Sequence, residues 1–301
     1  MMEDALTRQT AERLIEAAIA APSMHNSQPW QFVARPADRV IEVYADPART
    51  LREGDPRGRA VHIACGSALF NLRLAIARAG CEPVARLLPS PRDPLLLASV
   101  RLAGPYRPRP GEPDLYAAIH RPTGRAPLTG RPPRGVLVAL REAATLEGAS
   151  LREPGQVDAL RILRGRAAAD PYPRGAPGKR AIGKLRPARD LSARPPGRPA
   201  SPARQPGPWL AVVSTSADDR ASWLRAGQAA QHVLLLAAHH GVQAALLSPA
   251  LEPPGASAHP ETVLAGEHPA AILQFGSGHL RPATARRPVA QVLRVLSPVA
   301  V

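Results

Sequence analysis

Two apolar stretches of equal length, each bounded by glycine, constrain the fold of this chain more than any other feature. GSALFNLRLAIARAG runs from residue 66 to 80, and GQAAQHVLLLAAHHG runs from residue 227 to 241. The first glycines of the two stretches are 161 positions apart, and so are the last. Each stretch has the length and composition of a buried helix ended by glycine. The equal spacing favours two related halves over a chance alignment of two apolar helices, which is the alternative.

The segments around these helices extend the repeat. LIEAAIAAPS (residues 14–23) and VLVALREAAT (residues 136–145) are interpreted as the first helix of each half. Periodicity predicts helices at 10–21, 60–79, 115–119, 136–146 and 221–240, and strands at 40–44, 95–102, 210–214, 244–247 and 271–275. We therefore expect an α+β or α/β protein, with an N-terminal half at 1–110 and a C-terminal half at 111–301.

Composition excludes several protein classes. Hydrophobic residues make up 45% of the 301 residues, which excludes wholesale disorder. Charged residues or proline interrupt every apolar run before it reaches the length of a membrane span, and the polar N-terminus does not resemble a signal peptide. Cys65 and Cys81 are the two cysteines of the sequence, too few for a disulfide framework or a cysteine metal cluster. The expectation is a cytoplasmic protein without a metal site.

The formal charge of +15 does not by itself predict nucleic-acid binding. Residues 172–208 hold seven arginines, two lysines, one aspartate and nine prolines, which places +8 of that charge in a predicted loop. Aromatic residues, which stack on bases in nucleic-acid sites, are 3% of the chain. A nucleic-acid-associated protein that uses this loop is the weakest of the functional hypotheses.

The most specific motif is APSMHNSQPW, from Ala21 to Trp30, directly after the first predicted helix. A helix-ending loop with a buried tryptophan would be the unremarkable interpretation. The segment resembles the signature of the nitroreductase superfamily, and the arrangement of the whole chain resembles its single-chain, Acg-type branch. The resemblance implies a nitroreductase-like α+β fold in which two tandem halves form a pseudo-dimer. It also implies FMN as cofactor, with Pro22, Ser23 and Asn26 near the flavin ring.

The resemblance assigns a phosphate clamp to the start of the second half. Arg121-Pro-Thr-Gly-Arg125 matches the family form Arg-x-Ser/Thr-x-Arg, although Gly124 replaces a common asparagine. Two guanidiniums beside the Thr123 hydroxyl can hold a phosphate dianion through charge-assisted hydrogen bonds. The first half has no such clamp before its first helix, so one complete site is expected per chain.

Further residues are assigned on the same resemblance. Ser248 and Pro249 are expected near the ring, and Arg286 and Arg287 near the phosphate. An exposed turn is the alternative for the two arginines. The stretch from Arg152 to Pro208 matches the family poorly, which leaves open whether residues 172–208 act as a lid.

The implied activity is electron transfer rather than nucleophilic or metal catalysis. The flavin carries the redox chemistry and the protein holds and tunes it, so no catalytic side chain is assigned. The implied partners are NAD(P)H and a small electron-poor acceptor such as a nitroaromatic or a quinone. A protein that sequesters FMN with little turnover is the main alternative. Because one chain supplies both halves, we expect a monomer.

Overall fold

The computed structural model describes residues 6–50, 55–121, 128–155, 209–247, 267–278 and 284–296. The predicted loop at 172–208 and its possible role as a lid lie outside the described residues. From residue 6 to residue 121 the elements are α1 (Arg8–Ile19), β1 (Trp30–Arg35), β2 (Val40–Ala45), α2 (Arg59–Arg78), β3 (Cys81–Leu87), β4 (Leu96–Pro105) and α3 (Glu112–Ala118). The remaining elements are α4 (Arg134–Leu146), β5 (Ser150–Arg152), β6 (Trp209–Thr215), α5 (Arg220–His239), β7 (Gln243–Leu247), β8 (His268–Gly276), α6 (Val289–Val292) and β9 (Leu293–Val295).

The helices begin and end where local chemistry stops the ladder of backbone hydrogen bonds. The Thr7 side chain accepts from the backbone N–H of Thr10 at the start of α1, and Asp219 accepts from the N–H of Ser222 at the start of α5. These side chains satisfy N–H groups that have no partner within the helix. At the other end, Gly80 and Gly241 follow α2 and α5 with φ of 83° and 71°, a backbone shape that glycine adopts at low cost.

The two sheets have the same strand order. One sheet runs β3-β4-β2-β1-β9, and the other runs β5-β6-β8-β7. When β1, β2, β3 and β4 are matched with β5, β6, β7 and β8 in turn, the order β1-β2-β4-β3 in the first sheet becomes β5-β6-β8-β7 in the second. The neighbouring pairs among these strands are antiparallel in both sheets. The added strand β9 pairs parallel to β1, so the end of the chain joins the sheet of the first half.

The two long helices α2 and α5 pack against each other through glycine. A Cβ atom on Gly66 would lie 2.2 Å from the carbonyl oxygen of Leu224, and one on Gly227 would lie 2.1 Å from that of Ile63. Only glycine permits helix backbones to come this close. The contact is reciprocal, because Ile63 and Leu224 are also 161 positions apart. Each of these two residues packs in the hydrophobic core of the other half.

A second reciprocal contact follows along the same helices. The Phe70 ring stacks on the His232 ring, with centroids 4.8 Å apart. Beside them, the Gln231 side-chain amide donates to Asn71 Oδ1 over 2.8 Å. With the offset of 161 positions, Phe70 corresponds to Gln231 and Asn71 corresponds to His232. Exchanging the halves therefore turns the Phe70–His232 pair into the Gln231–Asn71 pair. Such exchange is what a two-fold relation between helices produces. Full superposition of the halves stays a prediction.

The structure confirms the five predicted helices and the five predicted strands, with ends that differ by a few residues. Strands β1, β3, β5 and β9 and the single turn α6 are additional. The boundary between the halves at residue 110 stays a prediction; α3 follows it and packs in the first core through Leu115 and Ala118. The expectation that no apolar run reaches the length of a membrane span was wrong for α2, which is long and apolar enough. However, 89% of its most apolar stretch is buried within the protein, as in a core helix.

Candidate functional site

The loop between α1 and β1, residues 20–29, has an unusual backbone. His25, Asn26 and Gln28 have φ of 49°, 55° and 48°, in the left-handed region. Asparagine tolerates this region, whereas for other L-residues a left-handed backbone costs roughly 1–2 kcal/mol each. Such a conformation persists when surrounding contacts hold it. This loop contains the APSMHNSQPW motif up to Pro29, and the last motif residue, Trp30, begins β1. The segment that most resembles the nitroreductase signature is therefore also strained.

Contacts from the end of the chain hold the loop. We call residues 284–296 the C-terminal strap. Asn26 Nδ2 donates to the carbonyl oxygen of Ala285 over 3.0 Å, and Gln28 Nε2 donates to the same oxygen over 3.3 Å. The N–H of Arg287 donates to Gln28 Oε1 over 2.7 Å. Within the loop, the N–H of Gln28 donates to Ser23 Oγ over 3.0 Å. The loop and the strap therefore form one hydrogen-bonded unit.

Arg286 lies beside Asn26. Its guanidinium donates to Asn26 Oδ1 over 3.1 Å and to the carbonyl oxygens of Ala20 and Thr284. Burial lowers the pKa of this guanidinium below its usual value. Its Nε atom is buried and has no hydrogen-bond partner within the described part of the chain. A buried donor next to the loop is suited to an acceptor on a bound ligand.

Arg287 makes a different set of contacts. Its guanidinium donates to Asp46 Oδ2 over 3.1 Å, and both side chains are 11% exposed. It also donates to the carbonyl oxygens of Gln28, Trp30 and Gln291. Asp46 directly follows β2, and its carboxylate also accepts from Gln31 Nε2 over 3.0 Å. The pair thus ties the strap to the ends of two strands in the first half.

The structure brings together only part of the predicted site. Ser23, Asn26, Arg286 and Arg287 join one hydrogen-bond network, and the neighbouring Pro22 is half-buried. Arg121 donates instead to the carbonyl oxygen of Ala238 in the last turn of α5. Thr123, Arg125, Ser248 and Pro249 lie outside the described residues.

Sequence reasoning missed Gln28 and Asp46. Gln28 belongs to the quoted motif, and its position before Pro29 and Trp30 could have drawn attention to it. Asp46 is an aspartate at a strand end with no surrounding motif. The bond between Asp46 and Arg287 joins residues 241 positions apart. No local pattern in the sequence predicts such a contact.

Comparisons with known proteins place the chain in a family. It is 31% identical to Mycobacterium tuberculosis Rv3131, a protein provisionally named NAD(P)H nitroreductase, over an alignment that covers 95% of this chain and 91% of that protein. It is 36% identical over 100 residues to M. tuberculosis acg, which carries the same provisional name, across 33% of this chain and 30% of that protein. A solved structure of a nitroreductase-like family protein from Bacillus cereus covers 61% of this chain and 96% of its own, at 17% identity and a TM-score of 0.39.

No family model matches the sequence. The match to Rv3131 spans almost the whole of both chains. The chain therefore belongs to the nitroreductase superfamily, in the single-chain branch that includes Rv3131 and acg.

Proposed function

We propose that this protein is an FMN-dependent oxidoreductase of the nitroreductase type, which uses NAD(P)H to reduce electron-poor acceptors such as nitroaromatics or quinones. The observation that carries the proposal is the motif loop, whose strained backbone is held by a strap from the other half. Family membership supports the same chemistry, since the names of both mycobacterial relatives refer to NAD(P)H nitroreductases.

The described side chains fit a flavin. Within the described residues the Ser23 hydroxyl acts as an acceptor, so its proton can be donated to a ring acceptor. The Asn26 amide and the buried Nε of Arg286 add a polar edge beside it. Donors placed at the ring stabilise negative charge that develops when a flavin is reduced.

Roles are then divided between the halves. Pro22, Ser23 and Asn26 of the first half, with Ser248 and Pro249 of the second, would contact the ring. Arg121, Thr123 and Arg125 would hold the phosphate. Bound FMN would supply the redox step, accepting hydride from the nicotinamide and passing electrons to the acceptor. The protein's own task is to hold the ring, orient it and leave one face accessible.

The test combines an absorbance spectrum with turnover. We expect the purified protein to be yellow, or to become yellow with added FMN, and to oxidise NAD(P)H faster when menadione or a nitrofuran is present. Tightly bound flavin without turnover would favour the sequestering alternative. No flavin binding at micromolar FMN would contradict the proposal.

A further inference from the structure

We propose that Arg287 and Asp46 are positioning residues, which shape the ring-binding loop and do not bind the FMN phosphate. The proposal rests on the proposed function for the identity of the ligand. It replaces the sequence-based expectation that Arg287 contacts phosphate. Its observable basis is the buried contact between Arg287 and Asp46 together with the bonds from Arg287 to Gln28.

The charge of Arg287 is already balanced. The carboxylate of Asp46 lies 3.1 Å from its guanidinium, and both side chains are largely buried. The terminal nitrogens also donate to the carbonyl oxygens of Gln28, Trp30 and Gln291. A phosphate dianion brought to Arg287 would meet the negative charge of Asp46 and two terminal nitrogens that already donate elsewhere, while Nε is buried and has no partner within the described residues. An arginine that binds phosphate is expected to have a charge that no carboxylate balances and terminal donors that no other acceptor uses.

The same contacts shape the loop. Gln28 has the left-handed backbone, and Arg287 binds it twice, through its N–H to Gln28 Oε1 and through its guanidinium to the Gln28 carbonyl oxygen. Gln28 in turn donates to Ser23 Oγ. This chain of bonds leads from the buried ion pair to a residue assigned to the ring.

Asp46 holds the end of the loop from the other side. Its backbone N–H donates to the carbonyl oxygen of Pro29 over 2.9 Å, and its carboxylate accepts from Gln31. Beyond Arg287 the strap continues into β9, which pairs with β1 from Phe32 to Ala34. The ion pair therefore lies where the strap, the loop and the first sheet meet.

The test compares FMN with riboflavin, which has the ring but no phosphate. Arg287→Gln and Asp46→Asn are each expected to weaken FMN and riboflavin by the same factor, about 10- to 100-fold. The double variant should bind each flavin no more weakly than the weaker-binding single variant, because both substitutions remove the same Arg287–Asp46 contact.

Arg287→Lys, which keeps the charge but not the planar fork, should recover part of the affinity. Arg294→Gln, at an exposed position on β9, is the matched control and should change nothing.

A phosphate role predicts a different result. Loss of FMN affinity with riboflavin affinity intact in Arg287→Gln, and unchanged or tighter FMN binding in Asp46→Asn, would overturn the proposal.

A ligand-free measurement separates this proposal from the proposed function. In protein without flavin, hydrogen exchange at residues 22–28 should be faster in Arg287→Gln and Asp46→Asn, while the β2–β4 pairing keeps its wild-type protection. Wild-type protein that binds neither flavin would refute the proposed function, and the exchange result would still decide the positioning role. Unchanged exchange in the loop of both variants would overturn it.

Discussion

Gly66 and Gly227 are the residues on which the contact between the halves depends. Their importance could be predicted from sequence as far as the equal spacing goes, since the two glycines begin matching apolar helices. That the two backbones touch at these glycines could not be predicted, because glycine also serves at helix ends, in turns and beside ligands. The structure resolves this, with a carbonyl oxygen lying where each Cβ would be.

Alanine at either glycine should therefore destabilise the protein. Gly66→Ala places a methyl group 2.2 Å from the Leu224 carbonyl oxygen, which forces the two helices apart. We expect the free energy of unfolding to fall by about 3 kcal/mol, at the upper end of the cost of overpacking, measured from the urea dependence of circular dichroism. Gly135→Ala is the control, because this exposed helical glycine has open space around it. It should be neutral or slightly stabilising, and equal effects at both positions would contradict the assignment.

Variants of Asn26 and of the predicted clamp should distinguish contacts with the flavin ring from contacts with the FMN phosphate. Asn26→Ala should weaken FMN and riboflavin alike, since both carry the ring. Replacing Arg121 and Arg125 by alanine should weaken FMN by roughly two to four orders of magnitude and leave riboflavin affinity nearly unchanged. Calorimetric titration of each flavin measures both effects, with circular dichroism to confirm folding. A double arginine variant that keeps its FMN affinity would contradict the clamp.

At the scale of elements, helices were predicted better than strands. The long helices carry continuous apolar runs, and their ends are marked by glycine or a capping residue. Strand β3 was missed because Glu82 and Pro83 interrupt it and most of its residues are only partly buried. Strands β5 and β9 are three residues long, too short to show alternation. No strand was predicted in the strap, because its pairing with β1 depends on contacts distant in sequence.

The starts of α2 and α5 meet in a polar junction that should respond to pH. His62 Nδ1 bonds to the Gly58 carbonyl oxygen over 2.6 Å, and Arg220 Nε donates to His62 Nε2 over 2.9 Å. Burial lowers the pKa of His62 below its ordinary 6.5 and Arg220 lowers it further, while the Gly58 bond and Asp55 act in the opposite direction. Arg59 and Asp218 form an ion pair at the same junction. Neutral His62 is therefore part of the folded state.

A lowered folded-state pKa means that the unfolded chain binds the proton more readily, so stability rises with pH. We expect the free energy of unfolding to decrease as pH falls from about 7.5 to about 5.5, with the loss complete below the folded-state pKa. His62→Gln should flatten this dependence in urea titrations. His240→Gln, at an exposed histidine, should not. A His62→Gln profile as steep as that of the wild type would contradict this account of the junction.

At the scale of the whole molecule, the two halves share a strand order but differ in the loop between the first helix and the first strand of each half. In the first half, residues 20–29 separate α1 from β1 and contain the motif. In the second half, residues 147–149 alone separate α4 from β5. There Glu147 forms an ion pair with Arg73 over 2.6 Å, close to His232. The second half thus has no counterpart of the motif loop between these elements, and one site per chain stays a prediction.

The shared order of the sheets bears on oligomeric state. Helices α2 and α5 of one chain pack against each other, so the surface between the halves is already covered within the chain. We expect multi-angle light scattering to give the 31.9 kDa mass of one chain at micromolar concentration. Twice that mass would contradict the prediction and would require a further interface.

The most direct test of the central claim is the number of flavins that one chain binds. Calorimetric titration of flavin-free protein with FMN should give one FMN per chain, because the ring loop is present once and its strap comes from the other half. Flavin absorbance of the saturated, gel-filtered protein should give the same ratio. Two FMN per chain would show that the second half forms a site without the loop, and no binding would show that this fold does not hold flavin here.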